Sequence, residues 1–290
     1  PVVSSAASDV YKRQVLKDNE GEINGTIKLI FQPAEEGGAG GKMMRDQGVL
    51  EDPDVERIFG LHVSDKLPTG TLASKEGTLL AATSSIKILV SGDGGHAAMP
   101  HLTVDPVVTG SKIVVELQTL VSRELDPLES GVISITMANA GSATNVIPSS
   151  MELQGTIRSL TSDGITRLQQ RVREVAEAIA MANRCIAEVT FPGNDFPPTV
   201  NDGDCWELGR ISAGEILGAE CVSEMGSIMG GEDFSYYTQV IPGCFSFLGV
   251  GNPEIGAVYG VHHPKFKVDE DALSLGTAIH VNTAFKALAG

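Results

Sequence analysis

Long apolar runs are missing from this 290-residue chain. No stretch reaches the roughly 18 residues a membrane-spanning helix needs, which argues against a membrane partner. Basic charge is also scarce: 21 Lys and Arg face 37 Asp and Glu, a formal net charge of −16. Phosphate backbones are bound by basic faces, so nucleic acid is excluded as a partner. The surplus of acid describes a solvated surface and names no substrate. Cysteine is sparse, and Cys185, Cys205, Cys221 and Cys244 form no CxxC pair. A disulfide framework is therefore not expected; packing cysteines or free thiols in a reducing, cytoplasmic setting are. The glycine clusters lack the lysine of a phosphate-binding loop. There is no fixed-period repeat and no low-complexity tract.

What remains is the composition of a globular protein, 42% hydrophobic and 20% charged, long enough for two ordinary domains. The amino terminus stands apart. Ser4 to Gln14 reads as the translation of a transposase sequencing adapter, and residues 1–14 are expected to be non-native, with natural sequence from about Val15. Sequencing the source DNA and finding native codon context there would refute this.

The most informative segment is Gln32-Pro33-Ala34-Glu35-Glu36-Gly37. It closes an alternating stretch, Thr26 to Phe31, that predicts a strand, and a glycine-rich turn then leads to a predicted helix from Lys42 to Leu50. Two adjacent carboxylates at the carboxyl end of a buried strand are costly unless something offsets their charge. A metal ion does so: one carboxylate ligates it while the other stays free to take a proton from activated water. His62 and His262-His263 are available to complete such a site. Loops at the carboxyl ends of strands are also where open α/β sheets bind ligands.

The middle of the chain predicts a β-α-β-β-α-β order: strand 85–90, helix 105–123, strands 132–139 and 151–160, a helix after Thr161, and strand 186–191. Thr161-Ser162-Asp163 is a helix-capping signal, and Ile165, Leu168, Val172, Val175 and Ile179 mark one helical face. This is a ferredoxin-like arrangement, expected near residues 83–191. The flanks predict strand 26–31, helix 42–50, strand 55–60, helices 204–217 and 232–239, strand 244–249 and helix 269–288, whose first turn carries Asp269, Glu270 and Asp271. The fold class is therefore α/β, with a domain formed by 15–82 and 192–290 interrupted by a smaller α+β one.

That arrangement, with Gln32 to Gly37, Gly60-Leu61-His62, Gly95-His96-Ala97-Ala98-Met99-Pro100-His101, Asn145-Val146-Ile147-Pro148, Gly155-Thr156-Ile157-Arg158, Gly230-Gly231-Glu232-Asp233-Phe234 and His262-His263-Pro264 in order, resembles the dinuclear metallo-aminoacylase and carboxypeptidase family. Within it the chain is similar to the amidohydrolase branch of hippurate hydrolases, auxin–amino acid hydrolases and N-acetyldiaminopimelate deacetylases. The resemblance implies that Glu35 is the general base and that Glu36, His62 and His262 are metal ligands. It implies two divalent ions (Zn, Mn, Co or Ni), a homodimer through residues 83–191, and His96 reaching the partner subunit's site to steady an oxyanion. Asn145 and Arg158 are candidates for a substrate carboxylate, against a capping Asn and a surface Arg. Gly230 to Phe234 is expected to shape the pocket wall, and His280 to be structural.

The family pattern also has an upstream Cys-Gly-His-Asp segment with two further ligands, which this sequence does not contain. The chain is therefore expected to be a fragment, impaired in catalysis by itself. The implied reaction is cleavage of the amide of an N-acyl amino acid or aminoacyl conjugate. A dipeptidase or carboxypeptidase, and a non-catalytic dimeric module binding acyl amino acids, are the alternatives.

Overall fold

A computed structural model describes residues 4–193 and 195–289, with side chains from residue 10. Of the 1–14 segment, residues 1–3 lie outside the described residues. The rest opens α1 (Ser4–Asp18), which lies along the last helix.

Two sheets organise the remainder of the chain. The first has the order β1 (Ile58–Pro68), β12 (Gly243–Gly251), β2 (Leu72–Ser74), β11 (Val222–Glu224), with β1 parallel to β12. β12 is buried almost throughout, as a strand covered on both faces must be. On one side, Leu72, Leu248 and Val250 meet Trp206 and Ala213 of α6 (Gly203–Leu217) and Ala272 and Ile279 of α8 (Asp271–Ala289). On the other, Phe245 and Phe247 join Leu50, Leu79, Leu80, Phe234 and Tyr237. Leu79 and Leu80 belong to β3 (Gly77–Leu80), which pairs with β10 (Thr199–Asn201).

The second sheet has the order β6 (Gly131–Ala140), β8 (Ser150–Ser159), β4 (Ala82–Ser91), β9 (Ile186–Thr190), all antiparallel. Helices α4 (Pro106–Thr119) and α5 (Ser162–Ala182) supply Ile113, Leu117, Leu168, Val172, Ala176 and Ala180 to the core formed with Ile86, Ile88, Val90, Leu153 and Ile157. Asp105 caps α4 through its side chain and Thr161 caps α5, closing otherwise orphaned N–H groups. A two-residue ribbon joins β5 (Gly95–His96) to β7 (Val146–Ile147). No helix among the described residues is long and apolar enough to cross a membrane.

Four expectations are corrected. Thr26 to Phe31 is not a strand: among the described residues no ladder includes it, and alternation without a pairing partner does not make one. The strand expected at 55–60 is β1 at 58–68, so His62 lies within it rather than after it. The helix expected at 232–239 shrinks to α7 (Ser235–Thr238), because Glu232 and Asp233 turn inward. The last helix begins at Asp271, and the buried Asp269 precedes it, accepting from the Asp271 N–H at 3.2 Å and from Asn252 Nδ2 at 2.8 Å. Cys185, Cys205 and Cys244 are buried free thiols, and Cys221 is half-buried.

Candidate active site

The Glu35–Glu36 pair sits on α2 (Glu35–Gly38), a single distorted turn that meets α3 (Gly40–Asp46) at Ala39. The backbone is bent sharply there: Ala34 and Ala39 are left-handed, at φ 58° and 49°. Glu35 is half-buried and Glu36 exposed. Their two environments give the two carboxylates different chemistry. Burial, followed by the charge of Asp233, holds Glu35 above the ordinary carboxylate range; His62 and His262 oppose the shift and Glu36 adds to it. Glu36 Oε1 instead stands 3.8 Å from His262 Nδ1, out in solvent.

His62 reaches the same place from β1, opposite Phe247 in the ladder. Its Nδ1 lies 2.7 Å from the Val63 carbonyl. A carbonyl only accepts, so Nδ1 carries the proton and Nε2 presents a lone pair. Fixing one ring nitrogen on a carbonyl is how a metal-binding histidine is oriented. Phe245 and Phe247 flank the ring, with centroids 6.3 and 5.7 Å away. Gly60, two residues earlier, lets the strand approach: a Cβ there would lie 2.8 Å from the Phe245 ring. Glu36 and His262 thus meet, and Glu35 lies within electrostatic reach of both and of His62, but among the described residues the ligand atoms of Glu36, His62 and His262 do not all come within 4.8 Å of one another.

Two further acids share this place. Ligand atoms of Glu35, Glu232 and Asp233 lie within 4.8 Å of one another. Asp233 is fully buried, and both its oxygens are occupied, Oδ1 by Gln32 Nε2 at 2.6 Å and Oδ2 by the Gly41 N–H at 2.8 Å. It is an anchor rather than an open ligand. Glu232 is 8% exposed, and burial, followed by the charge of Glu35, pushes its carboxyl up to about 8. It therefore holds a proton near neutrality beside Glu35. Local pattern does not reveal these contacts, since about 200 positions separate the partners; the only signal was an acidic dipeptide behind two glycines.

The remaining candidates fall into two other places. His96 and Asn145 are neighbours: β5 pairs with β7, and the Asn145 carbonyl accepts from the Ala97 N–H at 3.0 Å. Both are exposed. His96 Nδ1 accepts from the Ala98 N–H at 3.0 Å, so Nε2 carries the proton and is available as a donor. Arg158 is on β8 opposite Thr83, half-buried, bonded to Thr156 Oγ1 and the Ile157 carbonyl. Burial pulls its guanidinium below the usual range, and no ion pair to a carboxylate is formed by it among the described residues. A Cβ at Gly231 would lie 2.2 Å from Thr83 Cγ2, which puts Arg158's end of the sheet beside Glu232. The His96 end is remote: from Ser150 to Arg158 the strand rises about 27 Å.

The profile of peptidase family M20/M25/M40 matches residues 13–286. The chain belongs to this family. Among its M20 relatives, IAA-amino acid hydrolase ILR1-like 4 of Arabidopsis thaliana is 43% identical over 278 residues, 95% of this chain and 63% of that protein. Thermostable carboxypeptidase 1 of Saccharolobus solfataricus is 38% identical over 275 residues, 94% of this chain and 68% of that protein. The N-acetyldiaminopimelate deacetylase of Leuconostoc mesenteroides is 38% identical over 261 residues, 89% of this chain and 66% of that protein. The chain thus spans a little under two thirds of the plant relative's length. The YXEP protein of Bacillus subtilis, a dinuclear metal-binding peptidase from the M20 family, has a fold similar to this one. Its TM-score is 0.81 at 32% identity, covering 97% of this chain and 70% of that one.

Proposed function

We propose that the protein carrying this chain hydrolyses the amide of N-acyl amino acids or related aminoacyl conjugates, with Glu35 as general base. The observation that carries this reading is the placement of Glu35: half-buried, raised, and within electrostatic reach of Glu36, His62 and His262. The names of the plant and Leuconostoc relatives agree in substrate class.

Glu36, His62 Nε2 and His262 would supply a mixed carboxylate and imidazole set, donors of the kind that take Zn, Mn, Co or Ni, in a family with two-ion members; Glu36 and His262 are the pair already in contact. A divalent ion supplies Lewis acidity that acidifies water and polarises an amide carbonyl. Glu35 then accepts the water proton and returns it to the departing nitrogen, a transfer its raised carboxyl suits. Glu232, protonated near neutrality, adds no second negative charge beside Glu35 and does not compete for the incoming proton. Arg158 is the candidate receptor for a substrate carboxylate, and the absence of an ion pair to it among the described residues supports the role. Asn145 lies at the other end of the sheet and is not brought to Arg158.

We assign residues 83–191 to a distinct, dimer-forming unit set between 15–82 and 192–290. The support is twofold. β6 is an edge strand with residues 136–140 exposed, and open edges are pairing templates. The tautomer of His96 is that of an oxyanion donor, yet it stands far from Arg158 in its own chain, so it would serve a partner copy.

A carboxypeptidase or dipeptidase is the second reading, favoured by the similarity to the Saccharolobus enzyme. The test is an assay of the metal-loaded, full-length protein that carries this chain, on N-acetyl amino acids against unblocked dipeptides, with Glu35→Gln as control. Preferential turnover of the acylated series supports the first reading; preference for dipeptides supports the second. No turnover of either, with intact acyl-amino acid binding, returns a non-catalytic module.

A further inference from the structure

The loop that carries Glu35 and Glu36 has little of its own to hold it still. Its two alanines are left-handed, a region that non-glycine residues adopt at a cost, and Gly37 lies at φ 89° between them. The loop nearly closes on itself. The Gly40 N–H donates to the Ala34 carbonyl at 3.3 Å, and a Cβ at Gly40 would lie 1.7 Å from the Pro33 oxygen. Both sides of this neck then meet a single side chain. Asp233 Oδ1 accepts from Gln32 Nε2 on the entering side, and Oδ2 accepts from the Gly41 N–H on the leaving side. Gly41 has no room for a side chain, since its Cβ would be 2.6 Å from the Asp233 carbonyl oxygen. The next residue along from Glu232, which stands beside Glu35, therefore bolts the loop shut from a segment remote in sequence.

We infer that Asp233 is the positioning residue of the Glu35–Glu36 loop, its carboxylate spanning the neck so that the base and its neighbouring ligand hold a fixed mutual geometry. This rests on the roles proposed above for Glu35 and Glu36. A buried carboxylate with both oxygens committed to N–H donors is well suited to the task, because removing it orphans the buried Gly41 N–H and frees the half-buried Gln32 amide at once. Outer contacts of this kind are what tune metal ligands set on a loop.

The test is hydrogen–deuterium exchange and Zn²⁺ or Mn²⁺ titration calorimetry on the wild type, Asp233→Ala and Asp233→Asn. In Asp233→Ala the amides of 34–41 should exchange about tenfold faster or more, while those of α5 keep their protection. Metal affinity should fall by about tenfold or more. Asp233→Asn, which retains one accepting oxygen, should lie between. If Asp233→Ala does not fold, Gln32→Ala removes one of the two bonds from a half-buried position and should give the same exchange signature, smaller. Unchanged exchange over 34–41 in these variants overturns the inference, as does faster exchange spread equally over α5. A wild type that binds neither ion would refute the roles of Glu36, His62 and His262, while exchange would still decide the clamp.

Discussion

Glu35→Gln keeps the shape of the side chain and removes its basicity, so turnover should fall by about 10²–10⁴-fold. The affinity for Mn²⁺ measured by calorimetry should stay close to wild type, whereas Glu36→Gln or His262→Ala should weaken it. His280 gives a second residue-level prediction. It is half-buried on α8, with Nε2 shut off from solvent and Nδ1 3.0 Å from Lys12 Nζ, and desolvation, with a smaller contribution from Lys12, pulls it down to about 3. The unfolded chain takes up a proton below about 6.5 that the folded chain refuses. His280 therefore makes stability fall as pH drops from 6.5 towards 3, at up to about 1.4 kcal/mol per pH unit. His280→Gln should flatten the melting temperature against pH over that range; an unchanged slope would rule out the buried neutral imidazole. At this scale the glutamate pair and the three histidine candidates were legible because the residue types declare their chemistry. Asp233 and Glu232 were not, because nothing local distinguishes an acid that turns inward from one at a helix start.

The elements of the second sheet were the most legible, and their departures have local causes. In β6 the expected inward row Ile133, Ile135, Met137 breaks after Ile135: the register shifts, leaving Thr136 as an extra residue, and Met137 faces out at 49% exposure. Gly155 sits at that shift on β8, where a Cβ would lie 2.0 Å from the Ser134 carbonyl oxygen. Gly155→Ala should cost about 1–3 kcal/mol, read as a lower urea midpoint without a change in m. In α5 the buried row is Leu168, Val172, Ala176, Ala180, with Ile165, Val175 and Ile179 at its margin. Alanines lie under the sheet because small side chains permit close approach, which a search for large apolar residues overlooks. β2, β3, β10 and β11 have three or four residues each, too few for a period to register. Thr26 to Phe31 shows the opposite case, a period with no ladder to join.

For the whole molecule, a bound ion couples site and fold. Adding Mn²⁺ or Zn²⁺ at about a hundredfold excess over its Kd should stabilise the protein by about 2.7 kcal/mol, visible as a raised melting temperature that a chelator reverses. Charge placed on the open edge, as in Met137→Lys, should shift the proposed dimer towards monomer in sedimentation. The separation of His96 from Arg158 along β8 has a genetic consequence. If each centre draws Glu35 from one copy and His96 from the other, two inactive variants can repair each other. Glu35→Gln and His96→Ala, each silent alone, would form mixed pairs in which one centre has both groups intact. Random reassortment makes half the pairs mixed, so roughly a quarter of wild-type activity should return. Two defective alleles would then complement within a single cell.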